Sequence, residues 1–129
     1  MPDVRVEVRR GWSSAEKTAL LEAIHRAEIE ALKIPEWDRV LRLAEYAPEE
    51  FLIPPGKSDR YTRVEITMFP GRSLDAKRRL YQAIVRNLGS LGVPGDHIKI
   101  VLLEPPMENW GVRGGVPASE VDLGFEVRV

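Results

Sequence analysis

Val4, Val6 and Val8 alternate with charged residues near the start of the chain, which is the two-residue period of a strand that buries one face. The pattern then changes. Leu20, Leu21, Ile24, Ala27 and Leu32 fall roughly on one side of a helix, with Ser13 or Ser14 able to cap its start and Glu16 able to complete a capping box. After the turn at Ile34-Pro35, Val40, Leu41 and Leu43 begin a second extended segment. Strand, helix, strand is therefore the unit the pattern predicts.

The unit occurs twice. Arg5-Val6-Glu7-Val8 returns as Arg63-Val64-Glu65-Ile66, Gly11 and Ser13 as Gly71 and Ser73, and Lys17, Leu20, Ala23, Ile24 as Lys77, Leu80, Ala83, Ile84. The second helix carries Leu80, Ala83, Ile84 and Leu88 on one face, takes Ser73 as its cap and stops at Gly92 and Pro94; Ile98, Ile100 and Leu102 follow. A repeat of about 60 residues with matches in order marks a duplicated supersecondary unit.

Strand–helix–strand units cross over right-handed and leave their strands parallel. Two of them give an α/β (α+β) fold: tandem β-α-β repeats forming a four-stranded sheet with two helices on one face. The expected division is a single domain over 1–129, with repeat one at about 2–46, repeat two at about 61–104 and a C-terminal hairpin or arm at 105–129. The second sheet face is left bare, and apolar residues in both registers, such as Leu41 beside Val40 and Leu43, predict that it is apolar and associates with other subunits. Pro48, Pro54, Pro55 and Gly56 break the long connection, whose charged tip Lys57-Ser58-Asp59-Arg60 is expected in solvent. The arm holds Gly111, Gly114 and Gly115, then Val121, Phe125, Val127 and Val129 in weak alternation, suited to pairing with a neighbour's sheet edge.

Composition narrows the function. Net charge is −1, so no overall basic field argues for nucleic acid or an anionic membrane surface. There are no cysteines, which excludes disulfides, thiolate metal sites and cysteine nucleophiles. No apolar run is long enough to span a membrane, and the first residues lack a signal-peptide layout, so a cytoplasmic location is the expectation. No metal site is expected: His25 and His97 lie far apart without ligand spacing, and read as surface or capping residues. Gly111–Gly115 lacks the strand–loop–helix context of a phosphate loop. Arg78-Arg79 reads as a solvated helix face.

The candidate chemistry begins at Met1-Pro2. Removal of Met1 would leave a secondary amine fixed at the start of a strand. An α-amino group titrates at roughly 7.7–8.0, near the range where acid–base catalysis works best. With Met1 attached, the same nitrogen is an amide without basicity.

Pro2, the doubled unit, Ile34-Pro35-Glu36-Trp37-Asp38, Gly71-Arg72-Ser73 and the tail Glu108-Asn109-Trp110-Gly111-Val112-Arg113-Gly114-Gly115 together resemble the tautomerase superfamily, built around an amino-terminal catalytic proline. The likeness covers essentially the whole chain. It points to the fused-repeat branch of the 4-oxalocrotonate tautomerase-like proteins, which includes malonate semialdehyde decarboxylase and cis-3-chloroacrylic acid dehalogenase. The resemblance implies a homotrimer with inward-facing sheets, no cofactor, and a small carboxylate-bearing oxo-acid substrate. Pro2 matches the catalytic proline, and Asp38 an aspartate that assists it. Arg72 matches an arginine that grips the substrate carboxylate. Trp110 matches an aromatic pocket wall, with Phe69 and Asn109 as further binding positions. A guanidinium at a helix start suits a carboxylate on physical grounds as well.

There are departures. Phe69 (or Pro70) stands where the specialised branches carry a second arginine. Asn109 stands where the dehalogenases have a glutamate, and their first-helix histidine falls near Glu28. Each site residue also has a plainer reading: Arg72 as a surface arginine, Asp38 as a turn residue or a partner for Arg39 or Arg42, Trp110 as packing. Arg113 is a lesser candidate for reaching a neighbour's site. The leading expectation is a cofactor-independent tautomerase that moves a proton next to the carbonyl of a small 2-oxo acid. The alternatives are decarboxylation of a small 3-oxo acid, and a non-catalytic scaffold or ligand-binding protein with the same fold.

Overall fold

The computed structural model describes residues 2–129. Its first unit is β1 (Asp3–Arg9), α1 (Ser14–Leu32) and β2 (Val40–Tyr46); its second is β3 (Thr62–Thr67), α2 (Leu74–Gly89) and β4 (Ile98–Leu103). The strands form one sheet in the order β2-β1-β3-β4. β1 runs parallel to β2 and β3 parallel to β4, while β1 and β3 meet antiparallel, with Val6 opposite Val64. The two repeats thus meet across a pseudo-twofold axis between β1 and β3.

Local chemistry sets both helix starts. Ser13 accepts from the Glu16 backbone N–H at 3.1 Å while the Glu16 carboxylate accepts from the Ser13 N–H at 2.8 Å, a complete capping box. Ser73 accepts from the Ala76 N–H at 3.1 Å, and the two caps have nearly the same backbone angles, φ −72° in each. Each is preceded by a glycine in positive φ, Gly11 at 128° and Gly71 at 124°, a conformation that disfavours any residue with a Cβ. α1 and α2 pack against each other, tied by Asn87 Nδ2 donating to the Ala23 carbonyl at 3.0 Å and by the Arg86–Glu30 ion pair.

Val4, Val6, Val8, Val64 and Ile66 face the helices and are fully buried, together with Leu20, Ile24, Leu80, Ile84 and Leu88. The opposite sheet face departs from the apolar expectation. Arg63 bridges Glu7 at 3.0 Å and Glu65 at 3.2 Å, Arg5 lies 3.7 Å from Glu7, and the Tyr46 hydroxyl donates to Glu7 at 2.6 Å. Strand alternation sends the charged residues of β1 and β3 to this side, so the bare face is an ion-pair lattice with apolar residues, such as Val40 and Leu103, only on the edge strands. Any association through it is charge-matched rather than greasy.

Two further differences concern loops. Of the charged tip, Ser58 and Asp59 are exposed but Lys57 and Arg60 are half-buried. Lys57 pairs with Asp96 at 2.8 Å, and Arg60 lies over the Trp12 ring at 4.1 Å and bonds Glu16. The arm forms a short hairpin, β5 (Gly111–Val112) and β6 (Val116–Pro117). Its final residues make no strand; they fold back on their own chain, where the Ser73 hydroxyl donates to the Val129 carbonyl at 2.8 Å. No helix among the described residues is long and apolar enough to cross a membrane.

Candidate active site

The site lies at the end of the sheet where β1 begins. Pro2 is buried directly before Asp3, which pairs with Val40 of β2 on one side and Thr67 of β3 on the other. The chain entering β2 brings Asp38 to this end, and the chain leaving β3 brings Phe69 and Arg72. α1 runs back over the sheet toward it, so the last turns of that helix, with His25 and Glu28, close the site from above.

Arg72 is 6% exposed. Its Nη1 donates to the Phe69 carbonyl at 3.2 Å, while Nε and Nη2 have no hydrogen-bond partner among the described residues. Burial pulls its pKa down from the ordinary value, and the carboxylates of Asp38, Glu104 and Glu28 oppose that shift; a guanidinium stays cationic regardless. A buried cation with two undirected donors is costly unless an anion answers it. Asp38 is 3% exposed and interacts electrostatically with both Arg72 and Glu28. Its buried position sets aside the plainer reading as an exposed partner for Arg39 or Arg42.

Phe69 is fully buried and meets Trp110 edge to face at 4.8 Å between centroids. Trp110 Nε1 donates to the Pro105 carbonyl at 3.2 Å, which fixes the indole. Met107, Val112, Leu123, Phe125 and Val127 complete this apolar cluster. Asn109 sits exposed at the end of the turn before Trp110, and Arg113 is exposed in the hairpin. The structure therefore gathers Pro2, Asp38, Phe69, Arg72 and Trp110 at one end of the fold, while Asn109 and Arg113 stand at its rim.

Glu28 is the residue the sequence pattern did not single out as a site group. It is 1% exposed, and its Oε2 has no hydrogen-bond partner among the described residues. Burial, reinforced by the Asp38 carboxylate, pushes its pKa up to about 8, with Arg72 acting in the other direction. The two histidines are likewise not surface residues. His25 is 4% exposed with Nε2 at 2.9 Å from the Glu36 carbonyl and Nδ1 at 3.8 Å from Glu28 Oε1. His97 is 9% exposed and accepts from the Ser58 N–H at 3.0 Å. A backbone loop carries polar groups that need partners, and an imidazole can answer them from inside.

A cavity of about 380 Å³ forms a groove between α1 and β2 lined by Thr18, Leu21, Glu22, His25, Arg39, Val40 and Leu41. It touches the site only through His25. A smaller apolar cavity of about 190 Å³ lies between Trp37, the hairpin and Phe125. Size alone favours the first, but the unanswered guanidinium and the buried carboxyls lie elsewhere, and chemistry is the better guide. No cluster of metal-ligating side chains occurs among the described residues.

Comparison with known proteins finds likenesses over most of the chain. A family model described as tautomerase enzyme matches residues 38–113. Probable tautomerase YusQ of Bacillus subtilis (strain 168) is 28% identical over 121 residues, spanning 89% of this chain and 95% of that protein. Among solved structures, a fused 4-OT described as a wild-type symmetric trimer superimposes with a TM-score of 0.80 at 28% identity, covering 90% of this chain and 95% of that one. FG41 malonate semialdehyde decarboxylase inhibited by 3-bromopropiolate superimposes with a TM-score of 0.79 at 25% identity, covering 89% and 92%.

Proposed function

The chain belongs to the tautomerase enzyme family, and from that premise we propose that it interconverts the keto and enol forms of a small 2-oxo acid, without a cofactor, using Pro2 as acid and base. The observation that carries this reading is the buried Arg72, with two nitrogens lacking a hydrogen-bond partner among the described residues, beside Asp38 at the end of the sheet where Pro2 precedes β1.

The chemistry follows from those positions. Once Met1 is removed, the Pro2 nitrogen is a secondary amine. It takes the enol hydroxyl proton and returns a proton to the neighbouring carbon, so one group breaks the O–H bond and forms the C–H bond. Arg72 holds the substrate carboxylate through its unused donors, a charge-assisted contact whose geometry a planar fork suits. Asp38 orients that guanidinium and sets the local charge. Phe69 and Trp110 form the apolar wall that keeps water from the enolate, with Asn109 at the rim. The active assembly in this reading is a homotrimer, supported by the fused 4-OT described as a symmetric trimer. The division into repeats 2–46 and 61–104 with an arm at 105–129, and a cytoplasmic location, belong to the same proposal.

Decarboxylation of a small 3-oxo acid is the second reading. The buried Asp38 beside Arg72 favours it, as does the likeness to malonate semialdehyde decarboxylase. There Pro2 acts as an acid, or as an amine that forms a Schiff base. A nitrogen NMR titration of Pro2 in Met1-free protein separates the two. An amine mostly neutral at pH 7 agrees with tautomerisation; one mostly protonated contradicts it and puts decarboxylation ahead.

A further inference from the structure

Glu28 occupies a position that the fold itself fills with leucine. The helix repeats align Leu20 with Leu80 and Ile24 with Ile84, which sets Glu28 of α1 against Leu88 of α2. Leu88 is fully buried in the core and Glu28 is 1% exposed. An apolar side chain would serve packing there at no desolvation cost, whereas a carboxyl is expensive at such a site unless something uses it.

The neighbouring histidine says what form the carboxyl takes. A backbone carbonyl only accepts, so the 2.9 Å contact to Glu36 puts the His25 proton on Nε2. In neutral His25 the Nδ1 lone pair then faces Glu28 Oε1 at 3.8 Å. At 3.8 Å the two atoms share no hydrogen bond, and an anionic carboxylate facing that lone pair is less favourable than a neutral acid; a proton on Oε2, the oxygen without a partner among the described residues, leaves the O–H available to another acceptor. The groups around Glu28 are His25 on its own helix, Asp38 ahead of β2 and Arg72 at the start of α2. Asp38 supplies a negative charge that makes a second anion at Glu28 unfavourable.

We propose that Glu28 stays a neutral carboxylic acid at physiological pH and donates its hydrogen bond to the carbonyl oxygen of the substrate, stabilising the enolate that Pro2 creates. This deepens the proposed function and rests on it. In a 2-oxo acid the reacting carbonyl is bonded directly to the carboxylate carbon, so a group that neighbours Arg72 is placed for that oxygen when Arg72 holds the carboxylate. The Glu28 proton stays on Glu28 throughout; the enol O–H breaks, Pro2 N–H forms and then breaks, and the C–H bond forms. A neutral acid held in an apolar site is a known way to stabilise developing oxyanion charge.

The test is the pH dependence of enol ketonisation for the wild type, Glu28→Gln and Glu28→Leu, all Met1-free and checked for folding by circular dichroism. The wild type loses kcat as pH rises through the Glu28 titration. Glu28→Gln, which keeps a weaker donor, runs about tenfold slower and lacks that alkaline limb; Glu28→Leu falls about 100- to 1,000-fold. An alkaline limb unchanged in Glu28→Gln, or full turnover in Glu28→Leu, overturns the proposal. If the wild type itself shows no ketonisation, the function reading has failed, and carbon NMR of labelled glutamate decides Glu28 independently. A carboxyl that titrates far above the ordinary range and shifts on adding phenylpyruvate supports the assignment; one that ignores the ligand refutes it.

Discussion

Arg72 Nη1 donates to the Phe69 carbonyl at 3.2 Å, and that bond turns the rest of the guanidinium toward the end of the sheet where Asp38 and Glu28 lie. The residue is positioned by backbone, not by an ion pair on the surface, so its direction does not depend on solvent. If this fork holds the substrate carboxylate, Arg72→Lys keeps the charge and loses the paired donors. We expect kcat/KM to fall about 100-fold, the equivalent of one or two charge-assisted hydrogen bonds. Most of the loss is expected in KM. Steady-state kinetics on a 2-oxo acid enol check this; an unchanged KM would remove Arg72 from substrate binding.

Phe69 and Trp110 act as one packing unit. Phe69→Ala is expected to cost about 3–5 kcal/mol because the ring is fully enclosed. Trp110→Ala costs less, since the indole is only half-buried. A double-mutant cycle in urea should find a coupling of about 0.5–1.5 kcal/mol for the edge-to-face pair. Strict additivity would mean the two rings do not support each other.

Glu28 also makes stability depend on pH. Its folded-state pKa of about 8 stands above the ordinary carboxyl value of 4.5. Between those values the folded protein holds a proton that the unfolded chain has released, so stability falls as pH rises through that window and levels off above it. Glu28→Gln cannot ionise and lacks this slope. Relative to the wild type it gains stability from pH 5 to 8, on the order of 3 kcal/mol. Urea midpoints at a series of pH values check the sign; parallel curves for the two proteins would contradict it.

Much of this architecture is legible in the sequence because it is written twice. Val4, Val6 and Val8 against Val64 and Ile66, the caps Ser13 and Ser73, and the matched helix faces give strand direction within each unit and helix placement, though not the antiparallel meeting of β1 and β3. What the pattern missed came from partners far along the chain. The bare sheet face looked apolar from β2 alone, yet β1 and β3 put Glu7, Arg63 and Glu65 there as neighbours. His25 and His97 read as surface or capping residues; they are buried, and nothing local shows the Glu36 carbonyl and Ser58 N–H they serve. Glu28 had a signal that was available: the offset of the repeats sets it opposite Leu88, and a carboxyl in a leucine's place is a reason to look.

Ser73 carries two bonds at once, accepting from the Ala76 N–H and donating to the Val129 carbonyl. Ser73→Ala is expected to cost about 1 kcal/mol through the lost cap. It should also speed hydrogen exchange in residues 127–129, while Ser13→Ala, at the matching cap of α1, leaves those residues unchanged. Equal exchange in both variants would show that the tail is held by other contacts.

The central claim is that Pro2 is the acid–base group, and it is tested by ketonisation of phenylpyruvate enol with protein whose mass confirms loss of Met1, beside Pro2→Ala. The account predicts turnover in the first and a loss of at least about 100-fold in the second, the usual worth of a positioned general acid–base group. Equal turnover in both, or turnover by protein that retains Met1, would contradict it.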